Sequence, residues 1–117
     1  MEIESKNIER VYRSMLYTVS SGSLNKKILA KNRFQAVKEF VRSLKREDLG
    51  KLGQVITVVD SKGEEYPCAT APLLYVAKKI DANTAIENIM LATGLSRDEA
   101  ILVLHDLALE ISRWYRR

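Results

Sequence analysis

Cysteine is nearly missing from this chain. The single copy, Cys68, excludes an intramolecular disulfide and a metal site built from several thiolates. Histidine is equally scarce. With His105 alone, a histidine-rich metal site is excluded, and general-base chemistry would rest on one residue inside a mostly apolar stretch. Long apolar runs are also lacking, since none approaches the ~20 residues that a membrane-spanning helix needs. The first residues, MEIESKNIER, mix acids and bases and do not set a basic patch before a greasy segment. The expectation is a soluble cytoplasmic protein with no membrane partner. A length of 117 residues suits one compact domain, residues 1–117.

What is present is charge, unevenly placed. Residues 24–51 carry nine basic and three acidic side chains, a net of +6. Residues 81–112 carry one arginine against six acids, a net of −5, and the closing RWYRR restores +3. Such polarity can steer a polyanion or pair with an oppositely charged partner, a second copy included.

The hydrophobic pattern predicts an α+β protein in which a small ββαββ part, residues 1–70, is covered by a helical part, residues 71–117. β-Branched and aromatic residues over 11–19 read as a strand. SSGSLN reads as a bend longer than the tightest hairpin loops, and KKILA as the returning strand. Asn32 and Gln35 form a capping box for a helix running to about residue 44 or 48, with Phe34, Val37, Val41 and Leu44 on its apolar stripe. Gly50 and Gly53 break the chain before the strand QVITVV, the turn DSKG and the strand EEYPCAT. Pro67 cannot donate a ladder hydrogen bond, so that strand belongs at an edge or is interrupted.

Beyond residue 70 the period becomes helical. Pro72 suits a first turn, Thr84 with Glu87 reads as a capping box, Gly94 as a stop, and Ser96 with Glu99 as a further box. The last helix, about 97–113, sets Ala100, Leu104, Leu107, Ile111 and Trp114 on one face. Ile101, Val103, Ala108 and Tyr115 widen that face beyond what a surface helix needs. Leu104, Leu107, Ile111 and Trp114 are therefore expected to hold either the fold or a homodimer.

Three short helices with a tight last corner match a helix-turn-helix layout, and IMLATGLSRDEAILVLHDL resembles the helix-turn-helix superfamily over residues 72–113. The resemblance implies that Ala92 is the small residue packed before the turn. It makes Gly94 the turn glycine, Leu95 the buried turn residue, Ser96 the cap, and Leu104 and Leu107 the inward positions. The outward positions of that helix would be Arg97, Asp98, Ile101, Leu102 and His105. Only Arg97 and His105 offer donors, whereas Asp98, Glu99 and Asp106 repel a phosphate backbone. GLSRDEAILVLHDL is also similar to a ubiquitin-associated-type three-helix module, which implies a protein partner at an apolar surface.

Phosphate contact is better served by the first helix and its hairpin. Lys38, Arg42 and either Lys45 or Arg46 fall opposite the apolar stripe, with Lys26, Lys27, Lys31 and Arg33 adjoining. Arg97, Arg113, Arg116 and Arg117 are secondary candidates, and Trp114 can stack on a base or complete the stripe.

Catalytic patterns are weak. Asp98 and Asp106 near His105 make no triad. Cys68 has no histidine near it in sequence, which leaves a spatial approach by His105 open. GKLGQ is no phosphate-binding loop, and Glu64 and Glu65 would face opposite sides of a strand. The expectation is a non-enzymatic nucleic-acid-binding protein, more for DNA than RNA, acting as a small transcriptional regulator or accessory factor. It needs no cofactor and no metal. The competing expectation is a protein-interaction module or a small structural, oligomerising protein.

Overall fold

The computed structural model describes residues 14–116. Strands β1 (Met15–Ser21) and β2 (Leu24–Ala30) form a hairpin, followed by helix α1 (Arg33–Ser43) and a 3-10 turn (Arg46–Lys51). A second hairpin, β3 (Val55–Val59) and β4 (Glu65–Ala69), leads into helices α2 (Thr70–Val76), α3 (Ala82–Thr93) and α4 (Arg97–Tyr115). This is the expected α+β order, with the helices after the sheet. The sheet is antiparallel throughout, in the order β2-β1-β3-β4. Pro67 therefore lies on an edge strand, opposite Thr57, where its missing amide does least harm.

Alternation decides the faces. Tyr17, Val19, Ile56 and Val58 are buried beneath α1 and α2, while Thr18, Ser20, Lys27 and Thr57 stand on the other face. The main core joins these side chains to Val37, Phe40 and Val41 of α1, Leu73, Leu74 and Val76 of α2, and Ile111 of α4. A second, smaller core of Ala85, Ile86, Ile89, Ala100 and Leu104 holds α3 against α4. Among the described residues no helix is long and apolar enough to cross a membrane.

Several local expectations are corrected. β1 begins at Met15, and residues 11–13 of the expected strand lie outside the described residues. The β1–β2 loop has only two residues, because Ser21 pairs directly with Leu24. Gly22 makes this possible at φ +56, and a Cβ there would strike the backbone oxygen of Lys51. Ser23 N–H donates to that oxygen at 3.1 Å, and the buried Ser21 hydroxyl donates to Val55 O at 2.7 Å, so the hairpin end is fastened to the 3-10 turn and to the start of β3. β2 accordingly starts at Leu24, earlier than KKILA suggested.

At the start of α1, Asn32 Oδ1 accepts from Gln35 N–H at 2.8 Å, but Gln35 Oε1 accepts from Lys31 N–H at 2.7 Å and not from Asn32. The reciprocal half of the box has moved back one residue. α1 stops at Ser43 because Leu44 is extended, and Lys79 Nζ donates to Leu44 O at 3.1 Å just beyond the helix end. Its buried face includes Ala36 and Phe40, whereas Phe34 is 38% exposed and sits at the margin.

The Thr84 and Glu87 box does not form. Asp81 Oδ1 accepts from Thr84 N–H at 2.8 Å, so α3 opens at Ala82. The box at Ser96 and Glu99 forms in both directions, and Gly94 ends α3 at φ +74. Ala92, expected to pack before that turn, is exposed, and Leu95 is only half-buried.

Candidate functional site

Helix α1 presents Lys38 and Arg42 one turn apart, because residues four apart share a helix face. α4 ends beside them, and Arg113 with Trp114 closes a groove of about 500 Å³ whose lining also includes Lys31 and Gln35. Four cations, Lys31, Lys38, Arg42 and Arg113, share this groove with a single carboxylate, Glu39. Aromatic rings form its margin. Trp114 lies 5.1 Å from Phe34 and 5.9 Å from Tyr115 between ring centroids. Lys38 Nζ lies 5.5 Å from the Tyr115 ring centre, a cation–π contact worth about 0.5–1 kcal/mol at an exposed site. Burial raises the Tyr115 hydroxyl pKa above its ordinary value, and the charge of Arg42 works against that rise.

The structure sorts the remaining candidates. Lys26 faces the α1 side of β2 and donates to Ser43 Oγ at 3.0 Å, which ties it to the end of the helix. Lys27 is on the opposite sheet face, away from α1, since neighbours along a strand alternate. Lys45 and Arg46 do not continue the α1 row, because the helix has ended: Lys45 is extended and Arg46 opens the 3-10 turn. Arg33 turns away from the groove, with its guanidinium 4.2 Å from the Tyr66 ring centre and 4.7 Å from that of Phe34.

Arg97 is remote. It lies sixteen positions before Arg113, about 24 Å along the helix axis, and its guanidinium donates to Asn83 Oδ1 at 2.9 Å. Arg116 lines a different cavity with His105, and Arg117 lies outside the described residues. Leu104 and Ile111 are buried inside the protomer and Trp114 packs half-buried against the main core, whereas the half-buried Leu107 lines a cavity and joins neither core.

A second cavity, about 320 Å³, lies between α1, β4 and α4 and contains Cys68. Burial pushes the Cys68 thiol up to about 11, with the Glu110 carboxylate adding to the effect, so the nucleophilic thiolate is disfavoured near neutral pH. His105 does not approach it. The histidine lines a third cavity on the far side of α4, beside Tyr75 and Ile86. Glu64 and Glu65 do not share a strand, since β4 begins at Glu65. Glu64 instead accepts a 2.6 Å hydrogen bond from the Tyr66 hydroxyl, which raises the Tyr66 pKa. Among the described residues, no group of three or more His, Cys, Asp and Glu side chains is placed to hold a metal ion.

No protein-family model, curated protein or solved structure matches the chain.

Tyr115, Tyr66 and Glu110 were not among the sequence candidates. RWYRR offered a signal for Tyr115, an aromatic among cations, but its partner Lys38 is remote in sequence. Glu110 acquires its role when α4 packs across β4, and Tyr66 when α1 lays Arg33 over its ring.

Proposed function

We propose that the α1–α4 groove is a phosphate-contacting surface and that this chain is a non-enzymatic nucleic-acid-binding protein, serving DNA more than RNA as a small regulator or accessory factor. The observation that carries the reading is the convergence of Lys31, Lys38, Arg42 and Arg113 on one groove holding a single carboxylate. Two stretches of chain remote in sequence supply these cations, the basic run 31–42 and the end of α4, so the excess is a property of the fold as well as of the basic run. Trp114 and Tyr115 add apolar surface beside the charges, which suits stacking on a base or a duplex end.

In this reading the helix-turn-helix-like corner is a support and not a reading head. Arg97 is engaged by Asn83, and the exposed first turn of α4 carries Asp98 and Glu99. Self-association would offer two grooves to a duplex. Its seam would fall on exposed Ile101, Leu102 and Leu109, because Leu104 and Ile111 are buried.

Fluorescence anisotropy with labelled duplex DNA, single-stranded DNA and RNA across a salt series tests the proposal. If all four cations neutralise phosphates, the log–log salt slope on duplex is roughly −3.6, and Lys38→Glu with Arg42→Glu halves it to about −1.8 while weakening binding. Absence of binding at low salt, or a double variant that matches the parent, overturns the reading. A second reading, recruitment of a protein partner, is favoured by the exposed leucines of α3 and α4, Leu91, Leu102 and Leu109, which are 83%, 65% and 52% exposed. Capture that survives the groove reversal and is lost in Leu102→Glu supports that reading.

A further inference from the structure

The cavity between α1, β4 and α4 has the features of a small-molecule site. At about 320 Å³ it falls at the lower end of the range such sites occupy. Its walls are apolar, with Val37, Val58, Leu107 and Ile111 contributed by three elements. Its two ends differ in charge. At one end Arg33 is held over Tyr66, beside the amino terminus of α1, which has no acid in its first turn. Glu64 and Asp60 approach the Tyr66 hydroxyl from outside the lining, so the full charge that lines this end is that of Arg33, and with the partial positive charge of a helix amino terminus it favours a carboxylate. At the other end Cys68 and Glu110 line the wall. Glu110 accepts hydrogen bonds, and the Cys68 thiol stays protonated near neutral pH, so this end suits a donor and does not promote covalent attack. Tyr66 and Cys68 are two residues apart on β4, which separates the ends by about 7 Å.

Phe34 and Trp114 border both this cavity and the basic groove. A ligand that wedges against their rings in the cavity alters the aromatic margin of the groove. We infer that the cavity binds a small planar aromatic carboxylate carrying a hydrogen-bond donor at its far end, and that Phe34 and Trp114 transmit its occupancy to the groove. The transmission half of the inference rests on the nucleic-acid reading above.

Trp114 is the only tryptophan, so its emission reports the cavity directly. The full chain is titrated with 4-hydroxyphenylacetate, with phenylacetate as the probe lacking the donor and 4-hydroxyphenethyl alcohol as the probe lacking the charge. A saturable emission change is expected for the first, and binding about tenfold or more weaker for the other two, the loss expected when a charged-group hydrogen bond is removed. Arg33→Gln should weaken the first probe by a similar factor. Leu107→Phe, which fills the cavity from a half-buried position, should abolish its binding, with a thermal melt confirming that the variant folds. Repeating the duplex titration with saturating 4-hydroxyphenylacetate should move the midpoint at least about threefold. No emission change and no heat of binding by calorimetry would overturn the site, as would equal affinity for all three probes. Ligand binding with an unmoved duplex midpoint would overturn the transmission alone. If the protein binds no nucleic acid, the nucleic-acid reading and the transmission fail together, and the emission titration still decides the cavity.

Discussion

The α1 half and the α3–α4 corner use helices in opposite ways. α1 buries a continuous face against the sheet and turns Lys38 and Arg42 outward, where the end of α4 completes a basic groove around them. The corner has the better local signals, a two-way capping box at Ser96 and a left-handed Gly94, yet it encloses a five-residue core and turns acids and leucines outward. Strong capping therefore specifies where a helix begins and says little about what its surface does. Charge brought together by packing is the better guide to a polyanion site.

The largest expected contrast is in stability. Phe40 is fully buried in the main core and Ile89 nearly so in the small one. Phe40→Ala should cost about 3–5 kcal/mol and Ile89→Ala about 2–3 kcal/mol, read from urea unfolding. If Ile89→Ala proves the costlier, the corner is no minor annex. Next is binding: Arg42→Ala should weaken duplex affinity several-fold and reduce the salt slope by about 0.9, whereas Arg97→Ala should leave both unchanged in the same titration. The reverse pattern would move the contact surface to the corner.

The helix ends provide a smaller contrast. Gly94 takes φ +74 without penalty, while Lys78, just after α2, is held at φ +60 with a side chain. Lys78→Gly should therefore raise stability by about 1 kcal/mol, seen as a higher urea midpoint, whereas Gly94→Ala should lower it. On the acid side, backbone and hydroxyl hydrogen bonds from Thr84 lower the Asp81 pKa below its ordinary value. Its contribution is full above the unfolded-state carboxylate pKa of about 4 and fades as pH falls through the lower folded-state value. Asp81→Asn keeps a capping oxygen without the titration, so the difference in Tm between parent and variant should shrink as pH is taken from neutral to about 3. Least of all, Leu102→Glu should change stability by no more than about 0.5 kcal/mol, because the side chain is already mostly in water.

Period-two alternation, turn residues and an edge proline were enough to read the two hairpins and place β4 at the border, because these cues act within a few residues. The same locality explains the misses. The tight β1–β2 turn depends on Gly22 meeting the Lys51 backbone, a contact across 29 positions of chain. Asp81 outcompeted Thr84 for the start of α3, since Asp, Thr and Ser all cap and sequence alone did not rank them. For the site, Lys31, Lys38 and Arg42 were legible as a basic run, and Arg113 as a terminal charge. That they face one groove follows only from the docking of α4. The packing of α1 on the sheet sets Arg33 over Tyr66, and Arg116 lines a cavity on the other side of α4.

Amide and indole chemical-shift mapping with a short duplex sets the two regions against each other most directly. The groove account expects the largest shifts at Lys31, Lys38, Arg42 and Arg113 and at the single Trp114 indole N–H, with Arg97, Ile101 and His105 unmoved. Shifts concentrated at the start of α4, with the Trp114 indole silent, would contradict it.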